Sequence, residues 1–84
     1  MISKRIEIKL PEGLEARPIA LLVQVASQYE SSVYVESEDK KVNAKSIMGM
    51  MSLALPSGRE IVVTVNGADE EKALENIEKY LCGE

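Results

Sequence analysis

The 84-residue sequence predicts an α+β fold: an open-faced β-α-β-β-α-β-α sandwich in which three helices cover one face of a four-stranded antiparallel sheet. Three observations carry that prediction. Apolar residues alternate from Ile2 to Leu10, they recur at helical spacing from Ile19 to Ala26, and a β-branched run at Ile61–Val65 precedes an amphipathic stretch from Asp69 to Leu81. A chain of this length buries only about 60–65% of its unfolded surface and supports one core, so residues 1–84 are expected to form a single domain.

Taken in order, Ile2, Ile6, Ile8 and Leu10 share one face while Arg5, Glu7 and Lys9 share the other, which makes a half-buried first strand. Pro11, Glu12 and Gly13 break it. Pro18 suits the first turn of a helix, where its missing N–H costs nothing, and Ile19, Leu22, Val23 and Ala26 supply a buried face running to Ser27 or Tyr29. Ser31 and Ser32 punctuate the chain, then Val33 and Val35 alternate with Tyr34 and Glu36 in a second strand. A polar turn at Ser37–Lys40 joins that strand to a short third one at Lys41–Asn43.

Ser46 has the side chain of a helix N-cap, and the apolar residues from Ile47 to Leu55 predict a second helix of about two turns, ended by Pro56, Ser57 and Gly58. Ile61–Val65 reads as a well-buried fourth strand and Asn66-Gly67 as a turn. Asp69 is placed to cap a last helix. Glu70 and Glu71 in its first turn complement the helix dipole, and Ala73, Leu74, Ile77, Tyr80 and Leu81 form its apolar face.

Composition removes several function classes. Ten basic residues against fourteen acidic ones give a net charge of −4, which repels nucleic acid and anionic membranes. The longest apolar stretch, Ile19 to Val23, falls far short of the roughly 20 residues of a membrane span, so no membrane segment or signal peptide is expected. Cys82 is the only cysteine: it excludes an internal disulfide, reads as a packing residue, and fits a reducing cytoplasm. There is no histidine, which removes the commonest general base and metal ligand together with every histidine-based phosphotransfer.

Two helix starts are candidates for function, because unpaired N–H groups and a partial positive charge gather there. At the first, Arg17 offers a donor fork suited to phosphate, or is simply an exposed surface residue. At the second, Ser46 is either a plain cap or a phosphorylation site, and a phosphate there would sit favourably on the helix end. Ile47, Met48 and Met51 follow it. A short helix cannot bury every side, so some of these apolar residues are expected at the surface, where flexible thioethers suit a partner interface. Asp69, Glu70 and Glu71 are explained by an acidic first turn better than by a metal. Glu12 and Glu15 lack the nucleophile of a carboxylate enzyme, and no glycine pattern cradles a nucleotide. No enzyme activity and no cofactor are expected.

Gly13-Leu14-Glu15-Ala16-Arg17-Pro18, Lys45-Ser46-Ile47-Met48-Gly49 and Met51-Ser52-Leu53 together resemble the HPr family of the bacterial phosphotransferase system, over essentially the whole chain. The element order derived above agrees with that family's sandwich. In the phosphocarriers of the family a histidine stands between the Gly-Leu or Gly-Ile pair and Ala-Arg-Pro, where this chain has Glu15. A carboxylate does not replace imidazole as a reversible carrier, because an acyl phosphate reacts differently and the anion repels an incoming phosphate.

The pattern is therefore similar to the histidine-lacking catabolite-repression branch of the family, Crh. That resemblance implies phosphorylation of Ser46 by HPr kinase/phosphorylase. It also implies binding of the phosphorylated form to catabolite control protein A, a LacI-type repressor, as its corepressor. The contact surface it implies comprises Glu15, Arg17, Ala20, Lys45, Ile47, Met48 and Met51. Arg17, free of a phosphohistidine, is left to pair with Glu15 or with a partner. Two alternatives stand beside this reading: a phosphocarrier variant using Glu15 as acceptor, and a constitutive interaction domain with Glu15 as a permanent charge. The Pro11–Gly13 hinge permits strand exchange, so a monomer or weak homodimer is expected.

Overall fold

The elements follow in the predicted order in a computed structural model that describes residues 1–38, 40–53 and 55–83. They are β1 (Ile2–Glu7), α1 (Ala16–Ser27), β2 (Ser32–Ser37), β3 (Lys40–Asn43), α2 (Ile47–Met51), β4 (Glu60–Asn66) and α3 (Glu70–Leu81). The strands form one antiparallel sheet in the order β1-β4-β2-β3, with Ile6 opposite Ile61, Val35 opposite Val63 and Val33 opposite Val65.

Period-two alternation then puts Ile6, Val33, Val35, Ile61, Val63 and Val65 on one face, all buried beneath the helices. Ile19, Leu22 and Ala26 of α1 and Ala73, Ile77 and Leu81 of α3 meet them. Each large side chain so buried contributes about 1.5–3 kcal/mol. The helix-free face is polar, and there Lys41 lies 5.2 Å over the Tyr34 ring. Among the described residues no helix is long and apolar enough to cross a membrane.

Five details depart from the sequence expectation. β1 stops at Glu7 and not at Leu10: Ile8 N–H still donates to the Arg59 carbonyl (2.9 Å), just before β4, but Lys9 N–H turns to the Leu81 carbonyl (2.8 Å) at the end of α3. Ser37 pairs with Lys40 inside the β2–β3 ladder, so both belong to strands and not to the turn between them. Glu38 adopts the left-handed conformation (φ 54°), and the rest of that predicted turn, Asp39, lies outside the described residues. The β4 run is buried on alternate residues only, with Val62 and Thr64 half-buried on the other face.

The fourth departure is α2, which has five residues instead of two turns. Ser52 ends it: its N–H and its hydroxyl both donate to the Gly49 carbonyl (3.2 and 2.7 Å), and Leu53 N–H closes a tight turn on the Met50 carbonyl (2.9 Å). Leu53 is buried beyond the helix, and Leu55 bridges to Leu14. The predicted apolar helix thus divides into a short helix and an apolar exit segment.

The fifth is Asp69, which occupies the N-cap position of α3 without capping it. Its carboxylate accepts instead from the N–H groups of Glu30 and Ser31 (3.0 Å each) and from the Ser31 hydroxyl. These bonds, that of the Ser31 hydroxyl foremost, hold the Asp69 carboxyl below the usual range. The turn before α3 approaches so closely that a Cβ on Gly67 (φ 156°) would lie 2.6 Å from Ser31 Cα. Glu70 folds back on the turn before the helix, accepting from Gly67 N–H at 3.1 Å. That bond and the neighbouring N-terminal ammonium lower its pKa.

Candidate functional site

Ser46 stands at the N-cap of α2 in the extended conformation that a cap requires (φ −104°, ψ 112°). Its Oγ accepts from Gly49 N–H at 3.2 Å and its carbonyl from Met50 N–H at 2.9 Å. The side chain is exposed. The first N–H groups of the helix, on Ile47 and Met48, have no partner within it.

Beside it, Lys45 is less free than its charge suggests. Its ammonium donates to the Tyr29 carbonyl at 2.6 Å, just past the end of α1, and its N–H donates to Asn43 Oδ1 at 2.8 Å. Lys45 therefore ties the start of α2 to the end of α1.

The five residues of α2 divide sharply. Met50 is fully buried and anchors the helix, whereas Ile47 (46% exposed), Met48 (83%) and Met51 (46%) face outward, as expected from a helix too short to bury every side. Leu21, 45% exposed on α1, the helix against which α2 packs, was not singled out from the sequence. The signal was present: Arg17, Leu21, Gln24 and Gln28 follow helical spacing, and a leucine on an otherwise polar stripe marks an exposed apolar spot. Ala20, one residue before it, is half-buried.

The other candidate lies elsewhere. Glu15 occupies the N-cap of α1 with an exposed carboxylate that makes no capping bond, and Arg17 is exposed in the first turn. Among the described residues neither forms an ion pair. The suggested Glu15–Arg17 pair is therefore absent, because residues two apart do not face one another at a helix start. Leu14 and Leu55 exchange backbone bonds (2.7 and 3.3 Å), which sets Glu15 beside the segment leaving α2 in a recess with Glu12, Leu55 and Pro56.

The two helices consequently run in opposite senses. Glu15 and Arg17 lie at one end of α1, a twelve-residue helix about 18 Å long, and Lys45 and Ser46 lie towards the other, with Ala20, Ile47, Met48 and Met51 between them. The structure gathers the candidates into a strip and not into a pocket. The strip exposes apolar side chains along its length and a serine hydroxyl at one end. A separate cavity of about 370 Å³ between the β2–β3 turn and the α2 exit contains Lys40 and Arg59, but Lys40 already donates to the Ser52 carbonyl and Arg59 pairs with Glu38. Cys82 is half-buried against the core at the end of α3, a packing residue as expected.

Residues 2–82 match the family described as PTS HPr component phosphorylation site. The chain is 48% identical over 81 residues to the HPr-like protein Crh of Bacillus subtilis, covering 96% of this chain and 95% of that one. It superposes on the crystal structure of the phosphocarrier protein HPr from Bacillus anthracis with a TM-score of 0.92 at 46% identity, covering 95% of each chain. The crystal structure of the B. subtilis Crh, described as an intertwined dimer with a swapped domain, aligns with a TM-score of 0.76 at 48% identity, over 96% of this chain and 93% of that one.

Proposed function

This chain belongs to the HPr family, whose members are phosphocarriers or regulatory proteins and not enzymes, and within it we propose a regulator switched by phosphate on Ser46. The carrying observation is an exposed serine hydroxyl at a helix start, next to exposed Ile47 and Met48, in a chain with no histidine. HPr kinase/phosphorylase transfers the γ-phosphoryl of ATP to Ser46 Oγ: an ester O–P bond forms, the bond to the β-phosphate oxygen breaks, and the hydroxyl proton leaves to a base of the kinase.

The ester adds about 1.5–2 negative charges, and its oxygens take over the acceptor role that Oγ now plays towards Gly49 N–H. The helix survives and the rim of the apolar strip changes sign. Catabolite control protein A, a LacI-type repressor, then docks on Glu15, Arg17, Ala20, Lys45, Ile47, Met48 and Met51, with the phosphoprotein as corepressor in carbon catabolite repression. Site and partners are carried by the family relationship, by the likeness to Crh and by this exposed strip. Glu15 cannot act as a histidine carrier, and its carboxylate, in no ion pair among the described residues, gives the far end of the strip an acidic group.

Treatment with the kinase and ATP, followed by mass-spectrometric mapping and titration of the repressor, tests this directly. One phosphate on Ser46 and phosphate-dependent binding are expected. Absence of phosphate from Ser46, or equal binding with and without it, overturns the reading.

The same turn that starts the strip supplies a hinge. Gly13 (φ 70°) lies where a Cβ would come within 2.4 Å of the Leu55 carbonyl oxygen, and its N–H closes a tight turn on the Leu10 carbonyl at 2.9 Å. Opening it would let β1 pair with β4 of a second copy, so a monomer in equilibrium with a weak strand-exchanged homodimer is the assembly we propose.

A further inference from the structure

The chain contains four methionines, and the fold exposes them to very different degrees. Met48 on α2 is 83% exposed, Met51 one turn later 46%, Met50 between them 0%, and Met1 at the chain start 79%. A thioether reacts with peroxide according to how freely the reagent reaches sulfur. Two of the reactive positions therefore fall on the strip beside Ser46, and the buried one serves as an internal reference.

The geometry points to Met48 as a peroxide-sensitive modification site, whose conversion to the sulfoxide disables the strip whatever the phosphate state of Ser46. This rests on the docking role proposed above for Ile47, Met48 and Met51. The reagent class is a hydroperoxide, with hydrogen peroxide the simplest. The sulfur lone pair attacks one peroxide oxygen, an S–O bond forms, the O–O bond breaks, and the second oxygen leaves as water with both protons. Sulfur is oxidised by two electrons and the peroxide is reduced by two.

No charge is added and no core contact is lost, because the Met48 side chain stands outside the core. What changes is the character of the face. A sulfoxide oxygen is a strong acceptor, and covering it with an apolar partner strips its water without offering a donor. The phosphate switch is electrostatic and lies at the end of α2, whereas this one acts on the apolar area of the helix.

The test uses the full chain carrying Cys82→Ser, phosphorylated on Ser46, and graded doses of hydrogen peroxide read by peptide mapping. Met48 is expected to gain one oxygen ahead of Met51, with Met50 unmodified throughout. At the dose that converts Met48 fully, affinity for the repressor is expected to fall about tenfold or more, and methionine sulfoxide reductase is expected to restore it. In Met48→Leu, whatever its starting affinity, treated and untreated forms are expected to differ by less than about twofold, because leucine keeps the apolar volume without the sulfur.

Oxidation of Met50 in step with Met48, undiminished binding of the oxidised protein, or an equal loss in Met48→Leu each overturns the inference. If the untreated phosphoprotein itself fails to bind, the docking reading falls and takes the regulatory half of this inference with it. The peptide map then still reports, by a separate readout, whether Met48 is the selective site.

Discussion

The starts of α1 and α2 present the same backbone, unpaired N–H groups at the positive end of a helix, and carry opposite side-chain chemistry. At α2 a serine hydroxyl caps the helix and remains exposed. At α1 a carboxylate occupies the cap position without bonding to it, an acidic group built into the chain. A helix end thus sets where an anion is welcome, while the side chain decides whether the chain itself supplies one or, as proposed for Ser46, receives it by modification. Asp69 at the start of α3 adds a third outcome, since its oxygens are taken by Glu30 and Ser31 and its charge is used to hold a turn.

The contrast breaks most completely with Ser46→Ala. Loss of all kinase-dependent phosphate and of phosphate-dependent repressor binding is expected, read by mass spectrometry and titration. The lost cap costs about 1 kcal/mol, roughly 4–8 °C in melting temperature for a domain of this size. Next in size, Glu15→His puts an imidazole at the start of α1. The parent chain is expected to take no phosphoryl group from the upstream phosphotransferase enzyme, whereas the variant gains an acid-labile phosphate on residue 15 with Ser46 labelling unchanged.

The structural use of charge at Asp69 is read through acid unfolding. Its folded pKa is depressed, so the stability it contributes is fully present above the unfolded pKa and is lost as pH falls through the folded value. Asp69→Asn is expected to be clearly less stable than the parent at pH 7, with the two unfolding curves converging at the acid end of the carboxylate range. A pH-independent difference would show that shape and not charge holds the turn.

The smallest expected effect belongs to Gly49→Ala. Its Cβ would lie 3.4 Å from Ser46 Oγ and 3.7 Å from Val42 Cβ, close but without overlap. Helix propensity adds up to about 1 kcal/mol of stability, while the methyl crowds the space the phosphate needs. A slightly higher melting temperature with several-fold slower phosphorylation is expected.

Much of this was legible in the residues. The alternation at Ile6 and Ile8, the spacing of Ile19, Leu22 and Ala26, and the serine before an apolar run are local patterns, and local patterns report local geometry. One misreading was local, since Ser52 ended α2 early by bonding back to Gly49. The others arose where a distant partner intervened, as where Leu14 claimed Leu55 for a bridge outside the helix. Asp69 looked like a cap until the turn 38 residues earlier in the chain supplied better donors.

By itself, then, the sequence determined the element order, the buried faces, the serine at a helix start and the absence of histidine, because periodicity and side-chain chemistry are properties of neighbouring residues. Only the tertiary structure decided that Glu15 and Ser46 stand at opposite ends of one strip and that Lys45 is tied to α1. Those facts follow from how α1 and α2 pack against each other. Packing is set by contacts between residues far apart in the chain, which no local pattern encodes.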